Sequence, residues 1–535
     1  MLRSLMALSG TGLLALIAVG GPLPAADWPQ WGGRGDKNMV SDARGLPASF
    51  DPGRSRGGGF QTDMSTTRNV KWTARLGSQT YGNPVVSGGR VFVGTNDASV
   101  RDERLRRTKG GVMLCFDEAT GKRLWQLVIP KFRTDKKAFN YDHLNLGVCA
   151  SATVEGGRAY VLSSRGEVVC LDVKGQADGN GGPFQDEGRY MVDEGRKPAE
   201  LTQTDPDILW CFDMVHDLPV WPQDASSGAV LIHGGLVYAP TSNGVDSSHR
   251  NVPYPDAPSL IALDKQTGRL VAKDDERVGR RLYHGQWSSP TLAEVGGRAQ
   301  IVYGAGDGVV YAFEPADPRP KDGKVALLRK IWWCNCNPHD YRFEKGKPVP
   351  YKKRRREPGG KTQGVGPSEI IATPVFYRNR IYVAVGQDPR HKEGVGALSC
   401  IDATRTGDVT ETGVIWQSKL VDRSLSTVSI ADGLLYVADY SGRIHCFDAE
   451  TGKRYWVHQT HSPLWSSTFV ADGKVYLGTE KRELWVLKAG KDKKVLAKTR
   501  LPDKMSNTPI VANGVLYVAT GNCLYAVHET PAAGK

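Results

Sequence analysis

The chain reads as an all-β protein, an eight-bladed β-propeller of four-stranded antiparallel blades closed by an N-terminal strand. Three observations carry this reading. A strand–turn–strand pattern recurs eight times, a Thr-Gly turn followed by a tryptophan strand accompanies it, and the last copy is one strand short while a spare tryptophan strand lies upstream of the first. The hairpin turns are Gly88-Gly89, Gly156-Gly157, Gly234-Gly235, Gly296-Gly297, Arg378-Asn379, Asp432-Gly433, Asp472-Gly473 and Asn513-Gly514. Such pairs tolerate positive φ at both positions, as the tight turn between right-twisted strands requires. Eight copies at recurring spacing mean a repeat architecture.

Each unit starts near Tyr81, Gly147, Asp224, Gly285, Glu369, Ser424, Leu464 or Ser506. The hairpin is followed by a third strand, where Cys115, Cys170, Cys400 and Cys446 share one position with Ala262, Ala312, Val486 and Ala526 of the other copies. That exchange describes a small buried apolar side chain rather than a disulfide partner. Then come the Thr-Gly turn and the tryptophan strand, clearest in Asp117-Glu118-Ala119-Thr120-Gly121 before Trp125 and Asp448-Ala449-Glu450-Thr451-Gly452 before Trp456. Four antiparallel strands cannot bury both faces alone, and radial stacking gives a propeller. The eighth unit stops at His528 after three strands, so residues 69–76 around Trp72 are expected to complete it and remove the open edge.

This divides the chain into an export signal at 1–26, an N-terminal extension at 27–69, the propeller at 70–529 with its closing strand at 70–76, and a tail at 530–535. The signal rests on Arg3, the apolar run 13–19, the Gly20-Gly21-Pro22 break and Ala25-Ala26. The apolar run is too short to span a bilayer, and no cysteine precedes Cys115 to carry a lipid. A periplasmic or other extracytoplasmic protein, soluble after cleavage and monomeric, is expected. Residues 27–34 are expected to matter less to stability than the closing strand.

The formal charge of +13 is uneven. Residues 342–361 hold nine Lys or Arg against two Glu, including Lys352, Lys353, Arg354, Arg355 and Arg356, whereas residues 176–207 hold eight acids against three bases. Export argues against nucleic acid as the partner of the basic run and leaves a protein partner or an anionic ligand. In the acidic stretch, Asp178, Asn180, Asp186 and Glu187 offer oxygen, but Gly182 breaks the calcium-loop spacing.

In a blade counted from the centre, the loops from strand two to three and from one blade to the next emerge on the same face. Excess length collects there, at 95–110, 126–146, 243–258, 335–368 and 386–396, which marks the face for recognition. The innermost strands begin on that face with Asn83, Ser151, Ser227, Ser289, Thr373, Thr427, Ser467 and Thr508, a polar ring at the channel mouth that serves either a ligand or simply the strand ends. His143, His249, His284 and His391 lie in the same loops, His284 three residues before Trp287 in a run that leads directly into an inner strand. Cys334, Cys336 and His339 are spaced tightly enough to begin a zinc or copper site but supply only three ligands from one loop.

The Asp-x-x-Thr-Gly-Lys-x-x-Trp pattern resembles the quinoprotein-type propeller repeat, and the opening Asp27-Trp28-Pro29-Gln30-Trp31 is similar to exported bacterial PQQ-like, BamB-like repeat proteins. The BamB-like resemblance implies a non-catalytic scaffold in envelope protein assembly. The quinoprotein resemblance implies the alternative, a divergent PQQ-dependent dehydrogenase with calcium. No adjacent cysteine pair and no Cys-x-x-Cys-His haem attachment occurs, so the specific marks of that alternative are missing.

Overall fold

The structure is a computed structural model that describes residues 26–56, 61–131, 144–223, 226–246, 248, 251–282, 284–320, 323–349, 367–386 and 395–529. Its sheets are eight four-stranded antiparallel blades in a ring. Blade one shows the plan, running outward as Val85–Ser87, Arg90–Asn96, Gly111–Asp117 and Arg123–Ile129. The hairpin turns take the left-handed backbone that their residues allow, with Gly88 and Gly89 at φ 58° and 74°, and Asp432 and Gly433 at 50° and 75°. Blade three departs, since Gly234 alone of its pair has positive φ.

Every third strand carries a bulge at one position, between Cys115 and Phe116 in blade one and between Ala526 and Val527 in blade eight. The small residue before the bulge stands between two cross-strand aromatics. Cys115 lies opposite Phe92 and Trp125, Cys170 opposite Tyr160 and Trp210, and Cys446 opposite Tyr436 and Trp456. Where two large rings flank the position it holds Cys or Ala, and in blade seven, where Ala497 replaces the second ring, it holds Val486. All nine cysteines are free thiols, and burial pushes Cys400 up to about 11 and Cys170 up to about 12.

The Thr-Gly turn explains how blades lock together. Asp448 Oδ1 accepts from the Thr451 backbone N–H (3.0 Å) and hydroxyl (3.0 Å), which holds Gly452 at φ 70°. A Cβ on Gly452 would lie 2.6 Å from the ring of Trp416 in the preceding blade, so only glycine lets the indole dock. The Trp416 indole then donates to the Ala449 carbonyl at 3.1 Å. Trp72 repeats this against Gly121 and the Glu118 carbonyl (2.9 Å), although 46 residues separate the bonded pair. Its strand Val70–Arg75 pairs with Cys523–Val527, Trp72 opposite Ala526, so the ring is closed by the N-terminal strand. Outer edges are shielded where Ala326–Leu327 adds to blade three and Gly407–Asp408 to blade four, both parallel.

The N-terminal extension is integral to the ring, a role that the sequence expectation for residues 27–34, less weight than the closing strand, does not describe. Trp28 exchanges both backbone hydrogen bonds with Val86 (2.9 Å each), and Pro29, Gly35, Asp36 and Met39 carbonyls accept from Val154, Leu292, Phe376 and Val470, innermost-strand residues of blades two, four, five and seven. Asn38 brackets Ile430 of blade six with its amide, and Val40–Ser41 pairs in parallel with blade seven. Ala26 accepts from Asn513 of blade eight. The segment therefore closes the channel at the hairpin-turn end. Its side chains offer no strand or helix period, which is why sequence reading leaves it as a mere extension. Among the described residues no helix is long and apolar enough to cross a membrane.

Candidate functional site

At the opposite end the channel opens as a cavity of about 200 Å³. Its walls form two tiers because side chains two residues apart on a strand share a face. The deeper tier is the polar ring, and all eight of Asn83, Ser151, Ser227, Ser289, Thr373, Thr427, Ser467 and Thr508 line the cavity. The outer tier stands two residues before the ring position, on the extended chain that leads into the innermost strands, and includes Tyr81, Trp287, Ile371, Leu425 and Trp465. Trp31 of the extension also lines the cavity, with its indole donating to Thr373 Oγ1 at 3.1 Å.

The ring is also a belt joining blades. Backbone N–H groups of Thr508, Ser467, Thr427, Thr373 and Ser289 donate to the ring side chain of the next blade, Asn83 (2.6 Å), Thr508 (2.8 Å), Ser467 (2.9 Å), Thr427 (3.2 Å) and Thr373 (3.4 Å). In blade three the donor is Ala229 rather than Ser227, to Ser289 Oγ at 2.9 Å. The side chains thus satisfy strand-end amides that no ladder reaches, and this role holds whatever occupies the cavity.

Trp287 is fixed by its indole bond to the Gln223 carbonyl (3.0 Å), and Trp465 meets Tyr81 edge-on at 6.1 Å. His284 is 1% exposed, packs edge-on against Trp287 at 5.1 Å and does not line the cavity, so the tryptophan, not the histidine, faces it. His143, His249, His391 and the run Lys352, Lys353, Arg354, Arg355 and Arg356 lie outside the described residues. The structure does not gather Cys334, Cys336 and His339 into a metal centre. Both thiols are fully buried in the core and His339 stacks on Phe343 at 4.8 Å, and among the described residues no three His, Cys, Asp or Glu side chains form a metal-holding set. In the acidic stretch Asn180 donates to Glu187 (3.0 Å) and Lys174 to Asp178 (2.8 Å), so these groups serve one another. In the long loop at 95–110, Arg104 likewise pairs with Asp102 and Asp205.

Sequence reading found the deeper tier by register and Trp287 by its position, but missed Tyr81, Trp465 and Trp31. The outer tier carried a usable signal, two residues before each ring position. Trp31 carried none.

The geometry defines a closed propeller with a blind central cavity, and the repeats specify its kind. The family model described as outer membrane protein assembly factor BamB matches residues 108–275 and 397–492. BamB of Nitrosomonas eutropha is 33% identical over 119 residues, covering 22% of this chain and 29% of that protein. A polyvinylalcohol dehydrogenase of Sphingopyxis sp. is 22% identical over 395 residues, 65% of this chain and 50% of that one. The chain therefore spans half or less of the length of these relatives. Among solved structures, BamB from Moraxella catarrhalis superimposes with a TM-score of 0.52 at 13% identity, covering 86% of this chain and 99% of that one. The quinohemoprotein alcohol dehydrogenase ADHIIG of Pseudomonas putida HK5 gives 0.53 at 11%, covering 95% and 82%. At these identities the likeness is one of fold. The chain is a PQQ-like, BamB-like β-propeller repeat protein.

PQQ is a tricarboxylate, and with calcium it calls for cations against its carboxylates and carboxylates around the metal. Among the described residues the cavity lining holds no Lys, Arg, Asp or Glu. The residues present do not fit that group.

Proposed function

We propose that this chain is an exported, non-catalytic binding module that docks a protein partner through its long-loop face, in the manner that the likeness to BamB suggests for envelope assembly. The observation that carries the reading is the ring-shaped mouth on a closed scaffold, uncharged among the described residues. Those residues offer shape and neutral hydrogen bonds but no paired acid and base for proton transfer. The basic run 352–356, in the sequence that joins blade four to blade five, would steer an acidic partner.

Replacing Lys352, Lys353, Arg354, Arg355 and Arg356 by Gln should lower capture of the crosslinked natural partner at low salt, and raised salt should do the same to the parent as the screening length falls from ~10 Å at 0.1 M to ~3 Å at 1 M. Capture insensitive to both would remove the basic run from the binding face. The second reading, a divergent quinoprotein dehydrogenase, is favoured by the long match to a polyvinylalcohol dehydrogenase. Incubation with PQQ, calcium, an electron acceptor and primary, secondary or polymeric alcohols decides it, and turnover that depends on the quinone would overturn the scaffold reading.

A further inference from the structure

The cavity combines three properties that select a ligand class. Its outer tier presents the faces and edges of Trp287, Trp465 and Tyr81, with Trp31 deeper in the lining. Its deeper tier presents hydroxyl groups whose lone pairs are partly used. Ser289, Thr427, Ser467 and Thr508 are 4%, 1%, 3% and 2% exposed, and each accepts one backbone N–H from the preceding blade. Their own hydroxyl protons have no acceptor among the described residues. Finally, the lining is without charge among the described residues, and Arg423 stands behind the wall, stacked on Tyr440 at 4.8 Å while Tyr440 meets Trp465 edge-on at 5.9 Å.

These properties exclude the simpler occupants. A purely apolar side chain would leave the ring of O–H donors dry and unsatisfied, at a cost of about 1–3 kcal/mol for each buried group. A carboxylate or phosphate would satisfy the donors but would meet no counter-charge among the described lining residues. A neutral molecule with several oxygens on an apolar ring meets both tiers at once. Size agrees, because a cavity of ~150 Å³ holds benzene, and the about 200 Å³ here suits one substituted six-membered ring.

We propose that the channel mouth binds a single neutral pyranose ring, free or at the end of a glycan chain, packed against Trp287 and Trp465 with its hydroxyl oxygens on the serine and threonine belt. This rests on the long-loop face being the recognition face and adds a ligand class to it. None of the lining residues named here belongs to the basic run, so sugar binding and partner capture are tested by different substitutions.

The test is calorimetric titration of the full chain with glucose, N-acetylglucosamine, maltotriose and chitotriose, with tryptophan fluorescence as a second readout. At least one sugar should bind saturably, equally well at 0.1 M and 1 M salt, because no ion pair is involved. Equal affinity for monomer and trimer assigns a free sugar, and tighter binding of the trimer assigns a chain end. Trp465→Ala should weaken binding about tenfold, the equivalent of one lost aromatic contact, while Trp465→Phe, which keeps a ring in the wall, should retain most of it. Leu327→Ser on the exposed outer edge should change nothing. The proposal is overturned if no sugar saturates, if Trp465→Ala binds like the parent, if salt abolishes binding, or if N-acetyl-tryptophanamide saturates the site and sugars do not. Partner capture that survives such a failure would leave the docking reading intact.

Discussion

Trp28→Ala tests whether the N-terminal segment is part of the propeller or merely rests on it. Trp28 is 5% exposed, meets Phe469 edge-on at 5.2 Å, and packs so closely on Gly33 that a Cβ there would lie 2.6 Å from its ring. A tryptophan buries ~150–250 Å², and at ~25 cal/mol per Å² this amounts to about 4–6 kcal/mol as an upper bound. The backbone bridge to Val86 on one side and Pro29 bound to Val154 on the other hold the main chain in place, so the vacated space cannot collapse. The expected loss is therefore in the range of measured Trp→Ala changes in cores, about 3–5 kcal/mol. Urea unfolding followed by far-UV circular dichroism measures it, supplemented by the unfolding rate because large chains often unfold irreversibly. Trp333→Ala, on the half-buried outer strand of blade four, serves as the comparison and should cost far less. A Trp28→Ala protein within about 1 kcal/mol of the parent, smaller than any large core truncation, would refute the idea that the extension is built into the ring.

Two further outcomes follow from named residues. Gly452→Ala should destabilise more than Gly88→Ala: both have positive φ, which costs an L-residue about 1–2 kcal/mol, but only the first drives a Cβ into Trp416 while the second meets nothing within 4 Å. Equal urea midpoints would show that the indole does not need the glycine. Lys37 is fully buried with its Nζ on Gln30 Oε1 at 2.7 Å, and burial pulls it down to about 7 against an opposing pull from Asp36. Its folded value lies below its unfolded one of about 10.4, so the unfolded chain holds the extra proton in between, and this group's contribution to stability rises from about pH 7 to about pH 10.4 and is flat outside that window. Lys37→Met should remove the rise, a difference on the order of 4 kcal/mol between pH 6 and pH 10 at about 1.4 kcal/mol per unit. Parallel pH profiles of parent and variant stability would show that Lys37 is hydrated in solution.

What the sequence determined by itself is what short-range chemistry encodes. Turn pairs such as Asp432-Gly433 state their φ, alternation places Ser467 and Thr508 on the channel side of their strands, and the exchange of Cys446 for Ala526 reports two flanking aromatics. The closing strand was legible for the same reason, since Trp72 carries the repeat's own mark and the eighth copy lacked it. The outer tier of the mouth was half legible: its register is that of the ring, but only convergence from eight strands turns Tyr81, Trp287 and Trp465 into one wall. The N-terminal segment was decided by tertiary structure alone. Its hydrogen-bond partners lie up to 487 residues away, as with Ala26 and Asn513, and it has no periodic pattern because it crosses from blade to blade and runs along an innermost strand only at Val40–Ser41. The burial of Lys37 and the place of Trp31 in the cavity wall exist only because the ring supplies a channel to fill, a property that belongs to closure and to no single stretch of chain.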